Sequence, residues 1–189
     1  MDNKEISNKL KEWKNLNLHY LQQINELTST IKKPANFQVI SYFTYSMSVD
    51  HTPAADNICL GSFHLTNLGN VPLHNPYICI KLSDDHPFKF SGKYVYKGTK
   101  QKMKLGNAWE RFNEGEDVNT LFWLKPTEAN ILKPLETLVF SNFLVEWKSS
   151  PSYKGSIMGF VYGDELKEGE SSLNQINISG KVGEEKQNG

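Results

Sequence analysis

At Pro34 the hydrophobic pattern of this chain changes period, and nothing else in the sequence constrains the fold as tightly. Before it, Ile6, Leu10, Trp13, Asn17, Tyr20, Ile24, Leu27 and Ile31 succeed one another at spacings of 4, 3, 4, 3, 4, 3 and 4. That is the seam of a helix built on a seven-residue repeat. Asp2, with Glu5 three positions later, resembles a capping box. Lys32 and Lys33 suit the negative end of a helix dipole, and Pro34 ends the helix. After Pro34 no helical stretch of this kind recurs.

The rest of the chain is a series of short apolar runs: Phe37–Val49, Ile58–Thr66, Tyr77–Leu82, Phe88–Tyr96, Thr120–Leu124, Thr137–Trp147, Ile157–Tyr162 and Gln175–Ile178. Gly, Pro, Asn and Asp punctuate them. Eight such runs indicate antiparallel strands in a sandwich or barrel rather than βαβ units. An aromatic content of 12% suits packed sheets. The expected fold class is mainly β, an immunoglobulin-like antiparallel β-sandwich preceded by one long N-terminal α-helix. The expected organisation is a heptad helix over 1–33, a sandwich over 34–179 and a flexible tail over 180–189.

One junction shows the turn chemistry. In "FHLTNLGNVPLHNP", Asn67 to Asn70 is expected to reverse the chain, with Gly69 at positive φ and the Asn side chains bonded to nearby backbone. Pro72 and Pro76 keep the next segment extended and withdraw two backbone donors. The stretch "LTNLGNVPLHNPYICIKL", with "LKPLETLVFSNFLVEW" much later in the chain, resembles bacterial immunoglobulin-like domains of the adhesion-related type. In those a strand ending in Asn-x-Gly-Asn is answered by a Pro-x-Glu-led strand. The resemblance covers Phe37 to Ile178. It implies a sandwich fold and no particular activity; such domains are usually extracellular and repeated in tandem, whereas here there is one copy.

In the helix, Leu10, Asn17, Ile24 and Ile31 occupy a positions, and Ile6, Trp13, Tyr20 and Leu27 occupy d positions. A lone Asn at an a position fixes register and favours a parallel dimer. Trp13 and Tyr20 are bulky for d, and Leu16, Leu18 and Leu21 widen the stripe, as docking on a sheet would require. Lys9 would face Lys14 across a parallel pair. Leu10, Trp13, Asn17, Tyr20, Ile24, Leu27 and Ile31 therefore have three candidate occupants: a second copy, the chain's own sandwich, or a groove on another protein.

Lys and Arg number 21, as do Asp and Glu, so the formal net charge is zero and a dedicated nucleic-acid partner is not expected. The charged N-terminus lacks the apolar stretch of a signal peptide, and no window reaches the ~18 apolar residues of a membrane span. A cytoplasmic location, away from membranes, is the expectation. Cys59 shares a face with Phe63 and Leu65, whereas Cys79 points away from the face of Ile78, Ile80 and Leu82. Two unpaired thiols are expected on that ground.

Catalytic templates are missing: no metal-ligand spacing among His19, His51, His64, His74 and His86, no Gly-x-Ser-x-Gly and no phosphate loop. Neither an enzyme nor a cofactor is expected. Asp84-Asp85-His86 reads as a solvated turn before Pro87, and His64 and His74 flank the Asn-Gly turn, within reach of one another across a hairpin. "KYVYKGTKQKMKL" reads as a solvent-facing hairpin rather than a base-stacking site. Trp109, Phe112, Trp147 and Tyr153 include candidates for a sugar platform, although most belong to a core. The functional expectation is a non-enzymatic binding or assembly protein, partnered with itself or another protein, the sandwich offering loops such as Asn67–Pro76 and Thr99–Asp117. One alternative is a carbohydrate-binding or phage-type structural module. Another is a hydrolase using Glu110, Glu114, Glu116 and Asp117.

Overall fold

The computed structural model describes residues 3–30, 35–84, 87–96, 108–112 and 119–182, with helical side chains described over 7–28. The chain divides into two compact units, Met1–Ala35 and Asn36–Gly189. In the first, a single helix α1 (Asn3–Thr30) runs for 28 residues. Ile31, Lys32, Lys33 and Pro34 lie outside the described residues, as does most of the expected tail. Among the described residues no helix is long and apolar enough to cross a membrane.

The second unit is an antiparallel β-sandwich, so the fold class expected from the change of period is the one found. Its strands are β1 (Val39–Ser48), β2 (Asp56–Asn67), β3 (Leu73–His74), β4 (Tyr77–Leu82), β5 (Lys89–Ser91) and β6 (Tyr94–Tyr96). Then come β7 (Trp109–Arg111), β8 (Leu121–Pro126), β9 (Ile131–Leu132), β10 (Thr137–Lys148), β11 (Tyr153–Gly163), β12 (Leu166–Ser171) and β13 (Ile176–Gly180). One sheet has the order β1-β2-β10-β5. The other runs β12-β11-β4-β8-β7-β6, with β13 also on β11, and β3 pairs with β9 separately.

Period-two alternation explains the packing. On β2 the odd residues Cys59, Phe63 and Leu65 face inward and are buried; on β11 so do Tyr153, Ile157 and Val161. Rings meet across the layers: Phe90 of β5 lies 4.4 Å from Phe122 of β8, centre to centre. Gly159 of β11 leaves room for Phe63, whose Cε2 would stand 2.2 Å from a Cβ there. Cys59 and Cys79 are free and buried, in different sheets. Burial pushes both thiols up to about 11.

The turn at Asn67 is built as expected in one respect and differently in two. Asn67 is fully buried. Its side-chain oxygen accepts from Gly69 N (2.9 Å), and its amide donates to Val71 O (2.8 Å) and Leu132 O (3.1 Å). Gly69, however, is not at positive φ. It is required by close approach: a Cβ would stand 2.2 Å from Asn36 O, where Gly69 N and Asn70 N bond back to Gln38 O and Asn36 O. Nor does the turn close a hairpin, since β2 and β4 lie in different sheets and the two-residue β3 intervenes between Pro72 and Pro76. The two stretches that carry the family resemblance meet here. Leu135 N donates to Asn67 O (2.8 Å) and Asn67 N to Glu136 O (3.1 Å).

One further expectation is corrected. Phe88–Tyr96 is two strands in two sheets, β5 and β6. A Cβ at Gly92 between them would come within 2.5 Å of Phe140. Of "KYVYKG", the described part is β6, which pairs with β7 in parallel; the rest of the expected hairpin lies outside the described residues. On β7 the alternation sends Trp109 and Arg111 inward and Glu110 outward. The buried Arg111 lays its guanidinium 4.2 Å from the Phe122 ring centre and donates from Nη2 to Leu121 O at 3.1 Å.

Candidate functional site

Among the described residues two surfaces gather partly exposed apolar side chains, one on each unit. On α1 the residues picked out by spacing are all exposed, from Leu10 and Asn17 through Ile24 on one line to Trp13, Tyr20 and Leu27 on the next. Exposure reaches 78% at Trp13 and 65% at Leu27, and Leu16, Leu18 and Leu21 are more than half exposed beside them. Taken by itself, the helix unit therefore leaves a long, mainly apolar stripe uncovered. Stripes of this kind on stable proteins mark interaction surfaces. Ile31 lies outside the described residues.

On the sandwich the second surface is a cleft on the outer face of β11, β4 and β8. Alternation sends Tyr77, Trp123 and Tyr162 outward while their neighbours Ile78, Leu124 and Val161 fill the core. Tyr162 sits directly opposite Tyr77, and the two rings stack at 5.2 Å with planes 8° apart. Trp123 lies 5.2 Å from Tyr162 and 6.0 Å from Tyr77, and Phe112 lies 5.8 Å from Tyr77. Gly169, at φ 75°, lets Tyr162 lie against β12, because a Cβ there would stand 2.2 Å from its ring. Burial, aided by Cys79 and Tyr77 beside it, raises the Tyr162 hydroxyl above its usual range.

A polar corner bounds these rings. Asn75, at φ 49°, bonds through its backbone N to Asn130 O and through Nδ2 to Asp164 Oδ2, both at 2.7 Å. His74 N donates to Glu165 Oε2 at 2.7 Å, and its ring nitrogen Nδ1 meets Glu165 Oε1. Partial burial raises the Glu165 carboxyl, but those hydrogen bonds outweigh it and hold the group below the usual range. Lys125 pairs with Glu110 at 3.2 Å, and Lys167 lines the opposite wall. The cleft is open to one side and has a volume of about 870 Å³, within the range of small-ligand sites.

No family model and no curated protein matches the chain. Among solved structures, AvmM, which catalyses macrocyclization in alchivemycin A biosynthesis, is 14% identical over 79% of this chain and 90% of its own, with a TM-score of 0.39. A cohesin module from a Clostridium perfringens family 33 glycoside hydrolase is 11% identical over 78% of this chain and 100% of its own, with a TM-score of 0.35. Likenesses this weak carry neither a family nor an activity across to the present chain.

The other residues singled out from sequence separate in space. Trp109, Trp147 and Tyr153 are core residues, as most of that set was expected to be; Trp109 Nε1 donates to Val139 O at 3.1 Å. Only Phe112 joins the outer aromatic group. His64 stacks on Tyr42 at 4.8 Å and bonds Thr44 Oγ1, far from the partnership of His74 with Glu165, so those two histidines form no pair. Burial lowers the His64 ring below its usual range. Tyr94 packs against the core and beside Arg111, which removes it from any stacking surface. Asp85, His86, Glu114, Glu116 and Asp117 lie outside the described residues. Among the described ones no group of three His, Cys, Asp or Glu side chains is placed to hold a metal ion. Of the expected contact loops, Asn67–Pro76 is mixed, with Asn67, Gly69, Leu73 and Pro76 buried and Leu68, Asn70 and Asn75 exposed, and most of Thr99–Asp117 is outside the described residues.

Spacing thus found the helix stripe but not the cleft. Tyr77, Trp123 and Tyr162 each stand at an outward position of an apolar run, a signal visible in sequence. Their meeting depends on β11, β4 and β8 being neighbours, which the order of runs does not disclose.

Proposed function

We propose that this chain is a non-catalytic binding and assembly protein, in which α1 joins a second copy through Leu10, Trp13, Asn17, Tyr20, Ile24 and Leu27. The sandwich, an immunoglobulin-like module of the adhesion-related bacterial type on this reading, is then presented in more than one copy for contact. The observation that supports the reading is that, within the helix unit, the stripe residues described from Leu10 to Leu27 are left uncovered. A solitary helix of this length is marginal in water, and its apolar face gains stability only from something that covers it. Asn17 sits where a buried amide fixes register.

Light scattering on the full chain tests this, beside a Leu10→Asp, Ile24→Asp double variant. The reading expects an oligomer whose mass the double variant lowers while the sandwich stays folded. A parent chain that is monomeric at every concentration, or a variant of unchanged mass, contradicts it.

The cleft supports a second reading, a carbohydrate-binding module. Tyr77, Phe112 and Trp123 line it with the amide of Asn75, the carboxylate of Asp164 and the ammonium of Lys167, which combines apolar faces for a sugar ring with partners for its hydroxyls. A glycan array probed with the full chain and with Trp123→Ala decides it. Binding to a defined glycan that the variant loses supports this reading, and no binding to any glycan ends it.

A further inference from the structure

Among the described residues of the sandwich unit, the outer edge of β1 is guarded over half its length and has no partner over the other half. In the guarded half the segment after β12 does the work of a neighbouring strand. Leu173 N donates to Ser41 O (2.8 Å), Asn174 Oδ1 accepts from Phe43 N (2.7 Å), and Asn174 Nδ2 donates to Phe43 O (3.0 Å). Ser41 and Phe43 thus point their backbone groups away from β2. By the alternation of an antiparallel ladder, so do Tyr45 and Met47, beyond the reach of Asn174. Their side chains continue the inward face of Val39 and Phe43 but are 42% and 44% exposed.

Apolar surface gathers at this open half. Tyr45, Met47 and Val49 lie along it, and Ile58 and Leu60 lie on the opposite face of the same corner. These five are half of the ten large apolar side chains described as exposed on the sandwich unit. From Thr44 to Val49 the edge has no charge and no proline, the usual guards against strand addition.

We infer that the segment Tyr45–Val49, the end of β1 and the residue after it, pairs antiparallel with the same segment of a second copy, about a two-fold axis at Met47. The segment is complementary to itself. Met47 then faces Met47 of the second copy, and Tyr45 faces Val49, an aromatic against a β-branched side chain, a favoured cross-strand pair. Charge agrees with the pairing: Asp50 falls opposite Thr44 rather than opposite its own copy, so no like charges meet. A two-fold contact of this kind is closed, as stable homodimer contacts are. The contact is separate from the helix stripe and does not rest on it.

The test uses the full chain carrying Leu10→Asp and Ile24→Asp, so that the helix contributes nothing. In that background the mass by sedimentation equilibrium is expected to be that of a dimer, and Met47→Lys is expected to halve it. Met47→Cys is expected to form an intermolecular disulfide under mild oxidation, because facing residues in a hydrogen-bonded pair have Cα atoms about 5.5 Å apart. Ser152→Cys, on an exposed turn, serves as the control. A monomer at every concentration overturns the inference, as does Met47→Cys cross-linking no faster than Ser152→Cys. Should the parent's mass respond to Met47→Lys and not to the helix substitutions, the edge contact stands and the helix reading fails.

Discussion

The helix and the sandwich both carry periodic apolar residues, and they use them in opposite ways. In the sandwich the alternate residues close on one another: Phe43, Phe63, Phe140 and Phe143 are at most 3% exposed and touch ring to ring. In the helix the heptad residues face solvent. A unit whose pattern is consumed internally is stable by itself. On the proposed reading, a unit whose pattern is left open is an interface, and its stability would come from whatever covers it.

The largest effects should separate the units most sharply. Phe63→Ala empties a site between Phe43 and Gly159 and is expected to lower sandwich stability by about 3–5 kcal/mol in urea unfolding. Leu10→Ala on the helix is expected to change the same transition by less than about 0.5 kcal/mol while lowering the assembled mass. A large loss from Leu10→Ala would mean that the stripe is part of the sandwich's own stability, and the contrast would be gone.

Next in size is Asn67→Ala, which removes two donated bonds and one accepted bond in a fully buried turn. Stranding Leu132 O there is expected to cost about 2–3 kcal/mol, read from the same urea transition. Asn17→Ala is the comparison: the same side chain, but exposed on the helix, so it should leave that transition unmoved.

Leu135 tests whether exposure always signals contact. It is 80% exposed and held at φ 64° in the turn after Pro134. Leucine is strained in that region, and Leu135→Gly is expected to stabilise the sandwich by about 0.5–1 kcal/mol after the added chain entropy of glycine is subtracted. If this substitution instead weakens assembly without raising the melting temperature, Leu135 belongs to a contact surface as the helix leucines do.

The smallest effect is in pH. His64 is held below its usual range by burial, so the folded state disfavours its protonation. Its contribution is present above about pH 6.5 and is lost as pH falls from there towards the folded value. Glu165 is depressed as well, and its contribution is lost lower, as pH falls through the acid carboxylate range. Melting temperature between pH 7.5 and 5.5 should therefore fall slightly for the parent and less for His64→Gln. The helix, with no such group described in its stripe, should show no matching change in assembly.

Local pattern explains what is legible in the sequence. Alternation in β4 places Cys79 opposite to Ile78 and Ile80, and the 4-3 spacing marks the helix stripe residue by residue. Long-range pairing is not legible. The polar run Leu166–Ser171 becomes β12 because β11 offers it a ladder at Phe160 and Val161, although its own residues carry no strand signal. Trp109–Arg111 looks like the start of an acidic loop; pairing with β8 and β6 turns it into a strand with an arginine facing the core. Gly69 stands out as a needed glycine, but not for the reason its turn suggests, because the backbone it meets, at Asn36 and Gln38, is 31 or more residues away in sequence. The aromatic cleft is hidden for the same cause, since its rings come from separate segments of the chain.

The most direct measurement is amide hydrogen exchange on the full chain across a dilution series. Slow exchange over residues 7–28 at high concentration, lost on dilution while β2, β10 and β11 stay protected throughout, is the predicted result. Helix amides whose protection does not depend on concentration, in a chain of monomeric mass, would contradict the claim that the stripe is completed by a second copy.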